Sequence, residues 1–254
     1  MIASNSRRVT KDHGQKKTQN GVEKVVSLGP GLIFMTDGVS EITATGPEIG
    51  PAQIVKTVVT SATSASRHPN MEGIAIQYGE SLTRSFNSIS SQARAQLPSE
   101  LASLGNGGAQ ILESIFVGRD LDGRLKIEMV DVLLQQNPAS EDLQFVFTHS
   151  EKIPTEHIGL ILSGDVKPLQ AGFESPNSPI GRLSTFQSWV AAVRAQQDLN
   201  KAQSAEALAG LSLKYKDPND SSVGYPIFVY AIDSQGVFKK LKTVTSANAA
   251  SLPH

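Results

Sequence analysis

Strand-like runs come in pairs along this chain, and helix-like runs come in pairs between them. Near the start, Val25–Leu28 and Leu32–Met35 are two apolar runs joined by Gly29-Pro30-Gly31. Gly and Pro supply the backbone angles of a tight turn, so the segment is expected to be a hairpin. Ala52–Ala62 places Ile54, Val55, Val58 and Val59 on one helical face, with Pro51 suited to the first turn. Met71–Gln96 repeats Ile74, Tyr78, Leu82, Phe86 and Ile89 at spacings of three and four, and Pro98 stops it. Ala109–Val117 and Leu125–Leu134 then look like strands around a Leu121-Asp122-Gly123 turn. In the second of these, Leu125, Ile127 and Met129 alternate with Lys126, Glu128 and Val130, the pattern of a half-buried strand.

Leu143–Phe147 and Ile158–Leu162 are two further short strands. Ser184–Leu199, with Phe186, Trp189, Val190 and Val193 on one face, and the Ala-rich Ala205–Leu213 form the next helix pair. Phe186 and Trp189 are expected in the core. Ile227–Ile232 and Val237–Val244 close the order as another hairpin. Pairs in this order do not build a parallel βαβ sheet. They suit an α+β fold in which two antiparallel sheets stack and a helix pair covers each outer face. The expected organisation is one domain over residues 1–245, with a polar loop at 8–20 and a disordered tail at 246–254.

Composition removes several classes of function. The chain has 254 residues, 39% hydrophobic, enough to bury a core. Its formal net charge is −1, which argues against a nucleic-acid binder driven by bulk electrostatics. Lys11, Lys16 and Lys17 lack interleaved aromatics and are expected to lie in a solvated loop. The absence of Cys excludes disulfides, thiolate metal sites and a Cys nucleophile. No apolar run approaches the roughly 18–20 residues of a membrane helix, and the polar, basic start is no signal peptide. A soluble chain that engages neither membrane nor nucleic acid is expected, with its compartment open.

No dinucleotide, P-loop, zincin or nucleophile-elbow motif is present. His13, His68, His149, His157 and His254 are scattered. His149 and His157, with Glu151 and Glu156 between them, have ligand-type letters, but ordinary surface-loop residues account for them equally, and no metal or cofactor is expected.

The informative segment is the front. Asn5-Ser6-Arg7 is followed by a polar stretch, Lys24 opens the hairpin, and Gly38 closes it fourteen residues after the Lys. This arrangement resembles the start of proteasome-type N-terminal-nucleophile (Ntn) hydrolases. In that family a strand ends in Asp-Ser-Arg or Asp-Thr-Arg, a Lys opens the next hairpin, and a Gly ends it. Further along the likeness is weaker: Ser163-Gly164 resembles the family's Ser-Gly turn, Asp220 stands near the place of a family Asp, and Gly224-Tyr225 stands where the family has Gly-Gly. The element order of the whole chain follows the family, and only the front motif is specific.

The resemblance implies a four-layer αββα sandwich and amide-bond hydrolysis. In the family an N-terminal Thr hydroxyl attacks and its own α-amine, with a pKa of about 7.7–8.0, is the base. Lys24 would then keep that amine neutral, Gly38 would donate its backbone N–H to the oxyanion, and Asn5 would stand in the Asp position beside Lys24. Arg7, Ser163 and Asp220 would support these groups. The resemblance further implies a homo-oligomer and, if the site is active, a peptide or amide substrate.

Two departures bear on activity. Asn5 can hydrogen-bond an ammonium but does not offset its charge. The family's Thr falls about a dozen residues ahead of Met1, and the first Thr here, Thr10, is internal and has no α-amine, as does Thr18. Two explanations stand side by side. Met1 is a wrongly chosen start that leaves out a nucleophile strand, with or without an exported leader, or the protein is a non-catalytic relative serving as a structural or assembly subunit. Asp220 is equally at home as a turn residue, Ser163 is better explained as a turn residue than as a catalytic one, and Gly38 can be an ordinary strand end.

Overall fold

The computed structural model describes residues 2–5, 8–12, 15–19, 24–29, 31–38, 70–88, 108–140, 142–152, 162, 166–217, 224–232, 237–248 and 250–253. Among them the chain is α+β with antiparallel sheets. Its elements run β1 (Ile2–Asn5), β2 (Arg8–Asp12), β3 (Gln15–Gln19), β4 (Val25–Gly29), β5 (Leu32–Gly38), α1 (Met71–Asn87), β6 (Ala109–Arg119), β7 (Leu125–Gln136), β8 (Leu143–Lys152), α2 (Lys167–Glu174), α3 (Ser184–Arg194), α4 (Lys201–Tyr215), β9 (Ile227–Ile232) and β10 (Phe238–Val244). The chain divides into two compact units, Val26–Pro154 and Met1–Val25 with Thr155–His254, and each is described by itself.

The Val26–Pro154 unit is built on a sheet of order β4-β5-β6-β7-β8. The hairpin expected at Gly29-Pro30-Gly31 is present as β4 and β5. Gly31 sits at φ +76°, where a side chain would be strained. Its carbonyl also lies 2.6 Å from where a Cβ on Gly118 would sit, so β6 needs a Gly beside the turn. Helix α1 starts where Asn70 caps it, its side chain accepting from the Gly73 N–H. The helix lays Met71, Ile74, Ala75, Tyr78, Leu82 and Phe86 on Phe34, Leu112, Phe116, Val130, Val132, Leu134 and Phe145 of the sheet. Burying each large side chain of this kind stabilises the fold by roughly 1.5–3 kcal/mol. Expected to run to Gln96, α1 ends at Asn87. There the Asn87 amide donates to the Phe145 carbonyl at 2.7 Å and accepts from the Phe145 N–H at 2.8 Å, tying the helix end to β8, an edge strand of this sheet. Residues 89–96 and the expected helix at 52–62 lie outside the described residues.

Strand β7 buries the opposite face to the one its apolar start suggests. Glu128, Val130, Val132 and Leu134 are buried, while Ile127 and Met129 are half-buried and Leu125 is exposed. The second half of the strand sets the register, because Val130, Val132 and Leu134 are the residues that meet α1. Glu128 is carried onto the buried face with them. The other face of the sheet is covered as well: Ile33 and Ile115, which alternate with Phe34 and Phe116, are 0% and 2% exposed.

In the second unit the sheet order is β1-β9-β10, with Asn5 opposite Ile227 and Ala3 opposite Val229. Helix α4, capped by Asn200 accepting from the Gln203 N–H at 3.0 Å, packs Ala202, Ala209 and Leu213 on Ala3, Ile227, Val229 and Val244. Its opposite side joins a second cluster with Phe186 and Trp189 of α3, the core role expected for them. Burial on two sides explains why α4 is rich in Ala. The alternate face of β9 is also buried: Phe228 is 5% and Tyr230 1% exposed.

Three further expectations are revised. Residues 8–20, expected as a loop, hold a two-stranded antiparallel ribbon in which Arg8 pairs with Gln19 and Asp12 with Gln15. The last residues, expected as a disordered tail, pack Leu252 into the cluster that holds Phe186 and Trp189. Helix α3 ends at Arg194 and not at Leu199. Leu162 is in no strand, and residues 158–161 lie outside the described residues.

Candidate functional site

Of the six residues to which the family resemblance gives a role in the site, three fall on described backbone. Lys24 is half-buried and directly precedes β4. Gly38 is the last residue of β5, in register with Leu112 of β6. Asn5 is the last residue of β1, in register with Ile227 of β9. Because β4 and β5 are neighbours in the sheet, Lys24 and Gly38 bracket a single hairpin along the chain. Arg7, Ser163 and Asp220 lie outside the described residues, as do Glu156 and His157.

The structure adds a cluster that sequence reading did not assemble. His149, expected at the surface, is in β8, and its Nε2 lies 2.7 Å from Glu128 Oε2. Glu128 is 0% exposed, and burial holds its carboxyl above the ordinary carboxylate range although the His149 hydrogen bond pulls the other way. Next to it on β7, Lys126 Nζ bridges Asp120 at 3.0 Å and Glu151 at 3.2 Å. Asp120 also accepts from the Met71 N–H at 3.4 Å, so its charge faces the positive end of α1. Hydrogen bonding to Lys126 holds the Asp120 carboxyl below its usual range and raises the lysine.

Chemically, Glu128 and His149 can hold and share a proton. The signal for them in the sequence was only the alternation of β7 once its true buried face is known, since Glu128 then falls among Val130, Val132 and Leu134. A separate polar chain crosses the α1–sheet interface. Tyr78 Oη lies 2.8 Å from Ser114 Oγ, and Thr36 donates to the Glu113 carbonyl at 3.2 Å. Burial pushes the Tyr78 phenol well above its usual range. Among the described residues no group of three or more His, Cys, Asp or Glu is placed to hold a metal ion, and no helix is long and apolar enough to cross a membrane.

No family model matches the sequence, and no curated protein does. Among solved structures, the helical assembly of the Anbu complex from Pseudomonas aeruginosa is similar at 17% identity over 96% of this chain and 81% of that one, with a TM-score of 0.42. A likeness of that size fixes neither layers nor chemistry.

Proposed function

We propose that the chain has the four-layer αββα architecture of proteasome-type Ntn hydrolases, with Lys24 and Gly38 as site residues of that fold, and that amide hydrolysis is weakened or absent because Asn5 stands where the family has an Asp. The observation that carries the reading is two-sided burial. Each main sheet has one face under a helix, yet Ile33 and Ile115 on one sheet, and Phe228 and Tyr230 on the other, are buried on the face turned away from it. An antiparallel sheet can leave one face in water, so apolar burial on both faces calls for a further layer. The spacing of Lys24 and Gly38 around the β4–β5 hairpin supports their assignment as site residues.

In such a site the Lys24 ammonium would raise the local positive potential and the Gly38 N–H would meet a developing oxyanion. An Asn at position 5 would hold an ammonium more weakly than an Asp. The Asn5 substitution favours weakened or absent hydrolysis, with a structural or assembly role for the fold in company with copies of itself as the alternative. Fluorogenic peptide amides incubated with the 254-residue polypeptide should release no fluorophore above the buffer rate. Turnover that survives Lys24→Ala would show that the site has been assigned to the wrong residues.

A further inference from the structure

The C-terminal segment has features of a bound ligand. After β10 ends at Val244, Thr245 and Asn248 close a turn, the Asn248 side chain accepting from the Thr245 N–H at 2.6 Å and hydroxyl at 2.9 Å. The Ala250 N–H then donates to Glu206 Oε1 at 3.1 Å, and the Gln203 side chain donates to the Ser251 carbonyl at 3.2 Å. Leu252 follows, 4% exposed, in the cluster with Leu169 of α2, Phe186 and Trp189 of α3, and Leu208 of α4.

Gln203 and Glu206 are three residues apart on α4 and so share one helix face. Glu206 is 1% exposed. Its other oxygen pairs with Lys242 of β10. A carboxylate buried this far is costly unless charge and hydrogen bonds both satisfy it. Lys242 supplies the charge, and the backbone of the passing segment supplies the hydrogen bond. Groove and segment therefore match at two points: a main-chain N–H on the acid, and an aliphatic side chain two residues later in the apolar seat.

We propose that Thr245–Asn248 and Ala250–Pro253 belong to a removable strap occupying a peptide-binding groove on α4. The groove takes an extended segment offering a free backbone N–H to Glu206 and a leucine-like side chain to the α2–α3–α4 seat. The strap is tethered at Val244, so its effective concentration at the groove is on the order of millimolar. A free peptide of the same sequence must be supplied at that level to replace it.

Trp189 is the only Trp in the chain and belongs to the seat's cluster, so it reports occupancy. In the 254-residue chain carrying Leu252→Asp, acrylamide quenching of Trp189 should rise about two-fold while helical circular dichroism is retained. A synthetic peptide of residues 245–254 at millimolar concentration should reverse the rise saturably, and the same peptide with Asp for Leu should not. Unchanged quenching in the variant, or a rise that the native-sequence peptide does not reverse, would overturn the proposal. Should Leu252→Asp lose its helical signal, hydrogen exchange on the native chain decides. The Ala250 amide should exchange at least ten-fold faster than the Leu208 amide, by separate opening of the strap. Equal protection of the two amides would mean that the segment is fixed core and not a strap.

Discussion

Replacing His149 with Ala should cost about 3 kcal/mol of stability, read from the urea midpoint near neutral pH. Removing one partner of a buried pair strands the other charge, at roughly 3–5 kcal/mol. The low end applies because the His149 side chain keeps 18% of its exposure while Glu128 has none. The loss should shrink in acid, where the stranded carboxylate takes up a proton. Glu128→Gln separates charge from packing: the amide keeps the shape and a hydrogen bond to His149, so its cost should be much smaller. The sign of its pH dependence follows from the raised carboxyl of Glu128. Between the ordinary carboxylate value and its own, the folded protein holds a proton that the unfolded chain has released, so native stability falls as pH rises through that window. Gln has no such dependence. The melting temperature of Glu128→Gln relative to the native protein should therefore climb across the window and level off above it.

Phe116→Ala should be at least as damaging, at about 3–5 kcal/mol for a fully buried aromatic. The Phe116 ring lies 5.0 Å from Phe34 and 5.3 Å from Tyr78, and those two are 5.5 Å apart, so each ring meets the other two. Truncation opens a cavity between α1 and the sheet at the point where β5 pairs with β6 through Phe34 and Phe116. The same ladder holds Gly38 opposite Leu112. Amide exchange in β5 should therefore accelerate along with the drop in the urea midpoint, whereas Phe116→Leu, which fills most of the space, should cost far less.

What could be read from the sequence was whatever one element's own letters decide. Gly29-Pro30-Gly31 between apolar runs specified the β4–β5 turn, and the three-and-four spacing from Ile74 to Phe86 specified α1. The buried face of β7 was not legible from its start. Leu125, Ile127 and Met129 make as good an apolar row as Val130, Val132 and Leu134, and only contact with α1 chooses between them. Glu128 and His149 lie twenty-one residues apart and meet only through the β7–β8 register. The ribbon at Arg8–Gln19 is polar and lacks apolar alternation, so nothing in its pattern marks two strands. The strap carries a single large apolar residue, Leu252, and its order comes from Glu206 and Gln203 on another element. For the candidate site, the letters around Lys24 and Gly38 were legible, and the hairpin between them is present. Whether the two residues serve one site depends on how layers pack, which no local pattern encodes.

The layers can be tested with methyl and aromatic labelling. If the two sheets stack through their helix-free faces, about 10 Å apart, the δ1-methyls of Ile33 and Ile115 should give nuclear Overhauser cross-peaks to the ring protons of Phe228 or Tyr230. Cross-peaks from both isoleucines only to residues outside β1, β9 and β10 would contradict the four-layer account, and with it the roles assigned to Lys24 and Gly38.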